Sequence, residues 1–290
     1  MGILIGLLTA LTWGGADFAA RFSTHRIGTL RTMFYMQFIG FLLLTISMRW
    51  LGGWGHLADG SGWQPWAWGF LAGLLNACGT LSLYRSFEIG KMAVVAPLSA
   101  SYPALTLILS CLGGDHLPVV RVAGILFILF GVAVVAGGEH APSENSYQTT
   151  KTNTRGIGWA CVAAIAFGVL FWVLGIRIVP RVGAVQAVWM IRLTSSLLTA
   201  AIIFSAAQPI HLPHGGIRWM VLGVGGFDTL AFVLSNRGMQ MEQVAVISVL
   251  GSLYGAVTVG LAAIFLRENI SGWQWTGIAT IFAGIFLISK

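Results

Sequence analysis

The sequence predicts an all-α polytopic membrane protein of ten transmembrane helices, arranged as two inverted five-helix repeats. Hydrophobic residues make up 57% of its 290 positions and charged residues only 9%, where a soluble domain carries about a quarter charged. Runs of about 20 apolar residues, enough for a helix to cross a bilayer, recur along the whole length. The chain also repeats itself. Shifted by 152 residues, Arg85 falls on Arg237, Ala93 on Ala245, Val94 on Val246, Leu98 on Leu250, Tyr102 on Tyr254, Ala104 on Ala256 and Thr106 on Thr258. At a shift of 153, Asp115 falls on Glu268, Gly124 on Gly277, Ile125 on Ile278 and Gly131 on Gly284. Such a self-match fixes the architecture before any local feature is read.

The hydrophobic runs place spans at roughly 3–19, 30–48, 66–87, 92–112 and 118–136, then 156–175, 184–206, 217–236, 244–264 and 271–289. Residues 1–137 form the first repeat and 156–290 the second. The linker, 138–155, falls in the most polar long loop, with Glu139, Pro142, Glu144, Asn145 and Lys151. The Gly- and Trp-rich loop 52–64 is expected at the membrane interface, where many of the 12 tryptophans belong. Five spans per half is an odd number, so the second half enters the membrane upside down, a recurrent plan of secondary transporters. Weaker echoes extend the repeat. Asn76 falls on Asp228 at 152, Gly14 on Gly168 at 154, and Gly28 and Gln37 on Gly183 and Arg192 at 155.

Several function classes drop out. The net charge of +7 is spread over short loops, without the basic patch that nucleic acid requires. Cys78, Cys111 and Cys161 fall in apolar segments and read as small packing residues. The first segment is expected to be an uncleaved helix. All six histidines, His25, His56, His116, His140, His211 and His214, lie in loops or at span ends. A zinc enzyme or an intramembrane hydrolase would want one at depth. There is no Walker phosphate loop and no carbonyl-lined ion filter. No cofactor and no metal are expected. A small-molecule substrate, moved by a secondary transporter in the lipid bilayer, remains.

Trp13-Gly14-Gly15 in span one and Tyr102-Pro103-Ala104-Leu105 in span four carry a family resemblance. So does Gly114-Asp115 followed by Gly124 and Gly131, echoed by Arg267-Glu268 followed by Gly277 and Gly284. Over essentially its whole length the chain resembles the drug/metabolite transporter superfamily in its ten-helix EamA-like form. It departs from that pattern at Tyr254-Gly255, which lacks the proline, and at Asp115, where the family usually has Glu. The resemblance implies a carrier of small organic solutes in the inner (plasma) membrane, with both termini cytoplasmic. Charge bias points the other way. Six Lys and Arg lie on the N-terminal side and nine on the opposite side, which the positive-inside rule reads as an outside N-terminus. The family orientation is preferred because some of those arginines are expected to face a cavity.

Candidate site residues follow from the cost of polarity in lipid, about 2.5–3.5 kcal/mol for a mid-span charge on insertion scales. Asp228 in span eight and Arg192 in span seven each lie roughly 12 Å from the cytoplasmic end of their helix. Their repeat mates are the neutral Asn76 and Gln37. This polar layer reads either as the wall of a binding cavity or as a permanent salt bridge between two helices. Asp17, four residues after Trp13 and four before Arg21, reads either as a proton or cation site or as a surface pair with Arg21. The superfamily's four-helix small multidrug resistance proteins also use an acidic residue in the first helix. Arg85, Glu88 and Lys91 read as a solvated helix end. Trp13, Trp172 and Trp189, with the matched Tyr102 and Tyr254, offer aromatic walls for a ring or an ammonium.

The sequence thus predicts a functional monomer, or a weak dimer, working by alternating access. Its midplane pocket is expected between helices one, four and six to nine. The expected cargo is an amino acid or other amine-bearing solute, exported, with a coupling proton or counter-substrate as a possible partner. The alternatives are a proton-coupled organic-cation or multidrug carrier and, from another class, a non-transporting membrane enzyme or assembly subunit.

Overall fold

The computed structural model describes residues 2–51, 62–114, 118–137, 155–210, 213–242, 244–267 and 271–288. Most of the interfacial loop, nearly all of the linker, and the Asp115–Glu268 echo lie outside the described residues. The first half comprises α1 (Gly2–Ile27), α2 (Thr29–Leu51), α3 (Gln64–Ile89), α4 (Met92–Ser99), α5 (Pro103–Leu112) and α6 (Val119–Gly137). The second comprises α7 (Ile157–Val173), α8 (Val179–Val182), α9 (Ala184–Ser205), α10 (Gly216–Met241), α11 (Val244–Ser252), α12 (Tyr254–Leu261) and α13 (Gly272–Ile288). A π-turn at Leu174–Ile178 joins α7 to α8, and another at Ala262–Leu266 extends α12. Counted as spans, α4 with α5, α7 with α8, and α11 with α12 each make one crossing, which gives ten among the described residues. Seven of these are long and apolar enough to be recognised as membrane-crossing by length and hydropathy alone; α1 and the shorter α6 and α13 complete the set.

The helices are inside-out relative to a soluble bundle. On α1, Leu4, Leu7, Leu8 and Leu11 are exposed, while Trp13, Ala16, Asp17 and Ala20 are buried. The exposed residues recur at three- and four-residue spacing and form the lipid face. The cysteines follow the same logic: Cys78 is exposed, and Cys111 and Cys161 are half-buried. They are not core packing residues, because in a bilayer the outward face of a helix is apolar too.

Two helices outrun the expected spans. The sequence ends span one near residue 19, but α1 continues to Ile27. Arg21 does not terminate it; its guanidinium Nη1 reaches sideways to the carbonyls of Phe87 at 2.6 Å and Gly90 at 2.8 Å. There it satisfies acceptors at the C-terminal end of α3, which have no intrahelical donor. Likewise α10 continues to Met241 rather than stopping near 236. Both extensions move a carboxylate toward the middle of its helix: Asp17 on α1 and Asp228 on α10.

The halves meet in a symmetric pattern. Helix α1 packs on α10 as its mate α7 packs on α3; α2 packs on its own mate α9, and α6 on its own mate α13. The last contact shows the symmetry atom by atom. A Cβ added at Gly131 would lie 2.7 Å from the Gly277 carbonyl oxygen and 2.8 Å from Ile281 Cγ1. One added at Gly284 would lie 2.6 Å from the Gly124 oxygen and 2.7 Å from Ile128 Cγ1. These are the same contacts with the halves exchanged, and they require glycine for the backbones to approach.

Candidate functional site

Spans four and nine are interrupted halfway. α4 ends at Ser99 and α5 begins at Pro103, whose missing N–H and fixed φ suit the first turn of a helix. In the second half α11 gives way to α12 at Leu253 without a proline. The interruptions place Tyr102 and Tyr254 opposite each other at the centre of the molecule. Tyr254 Oη shares a hydrogen bond of 2.9 Å with Ser99 Oγ, and Tyr102 Oη donates to the Ser248 carbonyl at 3.0 Å. Ser99 and Gly251 are repeat mates, so the position that offers a hydroxyl to Tyr254 offers none to Tyr102.

Around these tyrosines lies a cavity with about 400 Å³ of space between atoms, mouth included. Seven aromatic rings line it: Trp13, Tyr84, Tyr102, Phe167, Phe171, Phe232 and Tyr254. Asp17, Asp228, Thr80, Met36 and Leu83 complete the wall. The rings hold each other in place. Trp13 stands edge-on to Phe171 at 5.6 Å, Phe232 at 5.1 Å and Tyr254 at 6.3 Å, and Tyr102 stacks on Phe171 at 4.8 Å. Four pairs of repeat mates line the cavity from both halves: Trp13 with Phe167, Asp17 with Phe171, Thr80 with Phe232, and Tyr102 with Tyr254. The carboxylate of Asp17 therefore stands where the second half has a phenyl ring.

The two carboxylates have different surroundings. Asp228, 7% exposed, forms a salt bridge with Nη2 of Arg192, which is fully buried. Arg192 Nη1 also donates to Gln37 Oε1 at 2.6 Å and contacts Met36 Sδ at 3.1 Å. The guanidinium lies 5.0 Å from the centre of the Phe232 ring. Asp17, 4% exposed, has no hydrogen-bond or salt-bridge partner among the described residues. The Tyr84 hydroxyl is likewise buried without a partner. The cavity thus offers one unpaired carboxylate and one unpaired phenol inside an aromatic wall.

Several expectations need correction. Asp17 is buried at mid-helix, not in a surface pair with Arg21. Trp172 is not in the wall; it follows Phe171 by one residue, about 100° further round the helix, and is half-buried with its indole N–H unpartnered. Trp189 donates to Thr45 Oγ1 at 2.9 Å and lies against Phe41, between α9 and α2. Gln37 and Arg192 stand behind the wall. Asn76 does too, donating to Ser195 Oγ at 3.1 Å. The seventh span contributes no lining residue, whereas the second and third do. Trp13, Asp17, Tyr102, Asp228 and Tyr254 line one cavity.

Sequence reading missed Thr80 and Tyr84, although a signal was present. They follow Asn76 at four-residue spacing, as Phe232 and Asn236 follow Asp228, and the two triplets are repeat mates. Phe167 and Phe171 were visible as mates of Trp13 and Asp17. Among the described residues no group of three His, Cys, Asp or Glu could hold a metal ion.

An inverted pair of five-helix repeats enclosing a buried polar and aromatic cavity defines a membrane carrier of small solutes. The sequence model of the EamA-like transporter family matches residues 1–137 and 154–290, and the chain belongs to that family. A solved structure titled only "Crystal structure of protein" is 21% identical, with a TM-score of 0.70 over 99% of this chain and 95% of that one. That likeness concerns the fold. No curated protein matches.

Proposed function

We propose that the protein is a secondary transporter of a small organic cation, an amine-bearing metabolite, carried by alternating access around the central cavity. The observation that carries this reading is Asp17, a buried carboxylate without a countercharge among the described residues, set among seven aromatic rings. A charge buried in low dielectric is costly unless paired, and ring faces attract cations. An ammonium group satisfies both, with the Tyr84 hydroxyl available as a further acceptor. Amino acid cargo is less well served. The Arg192 guanidinium that would take its carboxylate is engaged by Asp228 and Gln37 and lies outside the cavity wall. The near-equal halves supply the two-way access. The inner membrane, cytoplasmic termini and export are the remaining parts of the proposal.

Proton coupling is the second reading, favoured by the same unpaired carboxylate. A proton is the simplest alternative occupant of Asp17. The ionisable and polar groups near it are Asp228 on α10, Tyr84 on α3, Tyr102 at the α4–α5 break and Tyr254 on α12, with Arg192 on α9 behind Asp228. Proton and ammonium would then compete, which is the basis of exchange.

The test is the thermal stability of purified protein against amines, quaternary ammoniums, amino acids, nucleosides and sugars. A ligand at 100 times its dissociation constant adds about 2.7 kcal/mol. The proposal expects cationic hits that Asp17→Asn abolishes while its unliganded stability persists. Hits confined to uncharged solutes, or retained in Asp17→Asn, would contradict it.

A further inference from the structure

A second cavity opens sideways at the end of the bundle where α1 turns into α2. It holds about 860 Å³ of open space, between the α1–α2 turn, the last third of α3, the start of α7 and the end of α9. Arg31, Arg85 and Glu88 are its charged residues; Ile27, Leu30, Leu81, Trp159 and Ile202 form apolar walls. Glu88 is already engaged twice, accepting from Arg85 at 2.7 Å and from Thr29 at 2.6 Å. Arg31 has no hydrogen-bond or salt-bridge partner among the described residues, and its Nε is buried unsatisfied. Two guanidiniums against one carboxylate leave the crevice one positive charge in excess. The first turn of α2, Thr29 to Arg31, also lines it, and backbone N–H groups in a first turn have no intrahelical acceptor.

We infer that this crevice is a binding site for an anionic glycerophospholipid, with its phosphate on Arg31 and Arg85 and its acyl chain along Trp159, Leu81 and Ile202. A planar guanidinium with an unsatisfied donor matches phosphate geometry. The apolar wall distinguishes a lipid from a soluble phosphate. Trp159 and Ile202 are 43% and 41% exposed on the outer surface, so the crevice is open to the bilayer on its apolar side. The excess charge selects a net anionic headgroup over a zwitterionic one. The site stands apart from the central cavity and does not depend on what that cavity carries. It also gives three of the nine arginines and lysines on that side a local role, because Arg31 and Arg85 belong to a lateral pocket and Arg21 to the end of α3.

The test uses delipidated full-length protein in detergent, titrated with phosphatidylglycerol, phosphatidylcholine or glycerol 3-phosphate, with melting temperature as the readout. Phosphatidylglycerol should raise the melting temperature more than phosphatidylcholine at equal mole fraction, and glycerol 3-phosphate should not. Arg31→Gln and Arg85→Gln should each weaken the phosphatidylglycerol effect by about tenfold in half-saturating concentration, the scale of one charged hydrogen bond. Arg181→Gln, an exposed arginine at the other end of the bundle, should leave it unchanged. Loss in either folded crevice variant supports the site. Equal protection by both lipids, protection by glycerol 3-phosphate, or wild-type behaviour in both variants overturns it.

Discussion

Arg192 donates to Gln37 across 2.6 Å, and the two residues are each other's repeat mates. A residue that touches its own counterpart marks where the axis relating the halves passes, here between α2 and α9. On that axis one half contributes the charge and the other a neutral acceptor. Asp228, itself in the cavity wall, completes the cluster from α10; we propose that the pair is a fixed strut there, while Asp17 faces the cavity without a partner among the described residues.

Removing one member of the strut should be far worse than removing its charges together. Arg192→Met leaves Asp228 buried without its partner and should cost about 3–5 kcal/mol. Arg192→Met combined with Asp228→Leu should recover much of that loss. Equilibrium unfolding in detergent, run as a double-mutant cycle, checks this; additive losses would refute the strut.

Tyr84 carries a buried hydroxyl without a partner among the described residues. Tyr84→Phe should therefore leave unliganded stability nearly unchanged. If the hydroxyl accepts from the cargo, affinity for the best hit should fall about fivefold, the scale of one hydrogen bond. Isothermal titration of wild type and variant reads both halves of the prediction.

The seam between α6 and α13 should respond symmetrically. Gly131→Ala and Gly284→Ala each push a Cβ against a facing carbonyl, and each should cost about 1–3 kcal/mol. Gly158→Ala on α7 meets nothing within 4 Å and should be neutral or slightly stabilising. Melting temperatures of the three variants decide the matter.

Competition at Asp17 has a definite sign. As pH falls, a proton occupies the carboxylate and the organic cation binds less tightly; as pH rises, affinity climbs and levels off once the site is proton-free. One proton should be released per cation bound in the falling range. Asp17→Asn should show no such dependence in any residual binding, measured by titration in buffers of different ionisation heat.

Much of this fold could be read from the chain because lipid imposes simple rules. Apolar runs set the spans, and the Arg85–Gly131 echo set the two halves. The candidate site was less legible, for reasons that particular residues make plain. The apolar run ends near residue 19, which sets Asp17 close to a span end, whereas α1 continues to Ile27 and buries it. Trp172 was chosen by residue type, when its neighbour Phe171 has the inward position. A mid-span charge at Arg192 fits either a cavity wall or a salt bridge between helices, and only the structure shows Gln37 and Asp228 around it. Periodicity tells which residues share a helix face; it does not tell which of two polar faces meets the cavity. The repeat could have said more. The Trp13–Phe167 and Thr80–Phe232 pairing, extended along the helices, draws most of the wall from the sequence alone.

The central claim is that Asp17 and the aromatic wall carry a cation, and flux in proteoliposomes tests it most directly. The measurement compares uptake of the best amine with that of its uncharged isostere, in wild type and in folded Asp17→Asn. The account predicts saturable uptake of the amine by wild type alone, with the isostere at the level of empty liposomes. Equal uptake of amine and isostere, or wild-type uptake by Asp17→Asn, would contradict it.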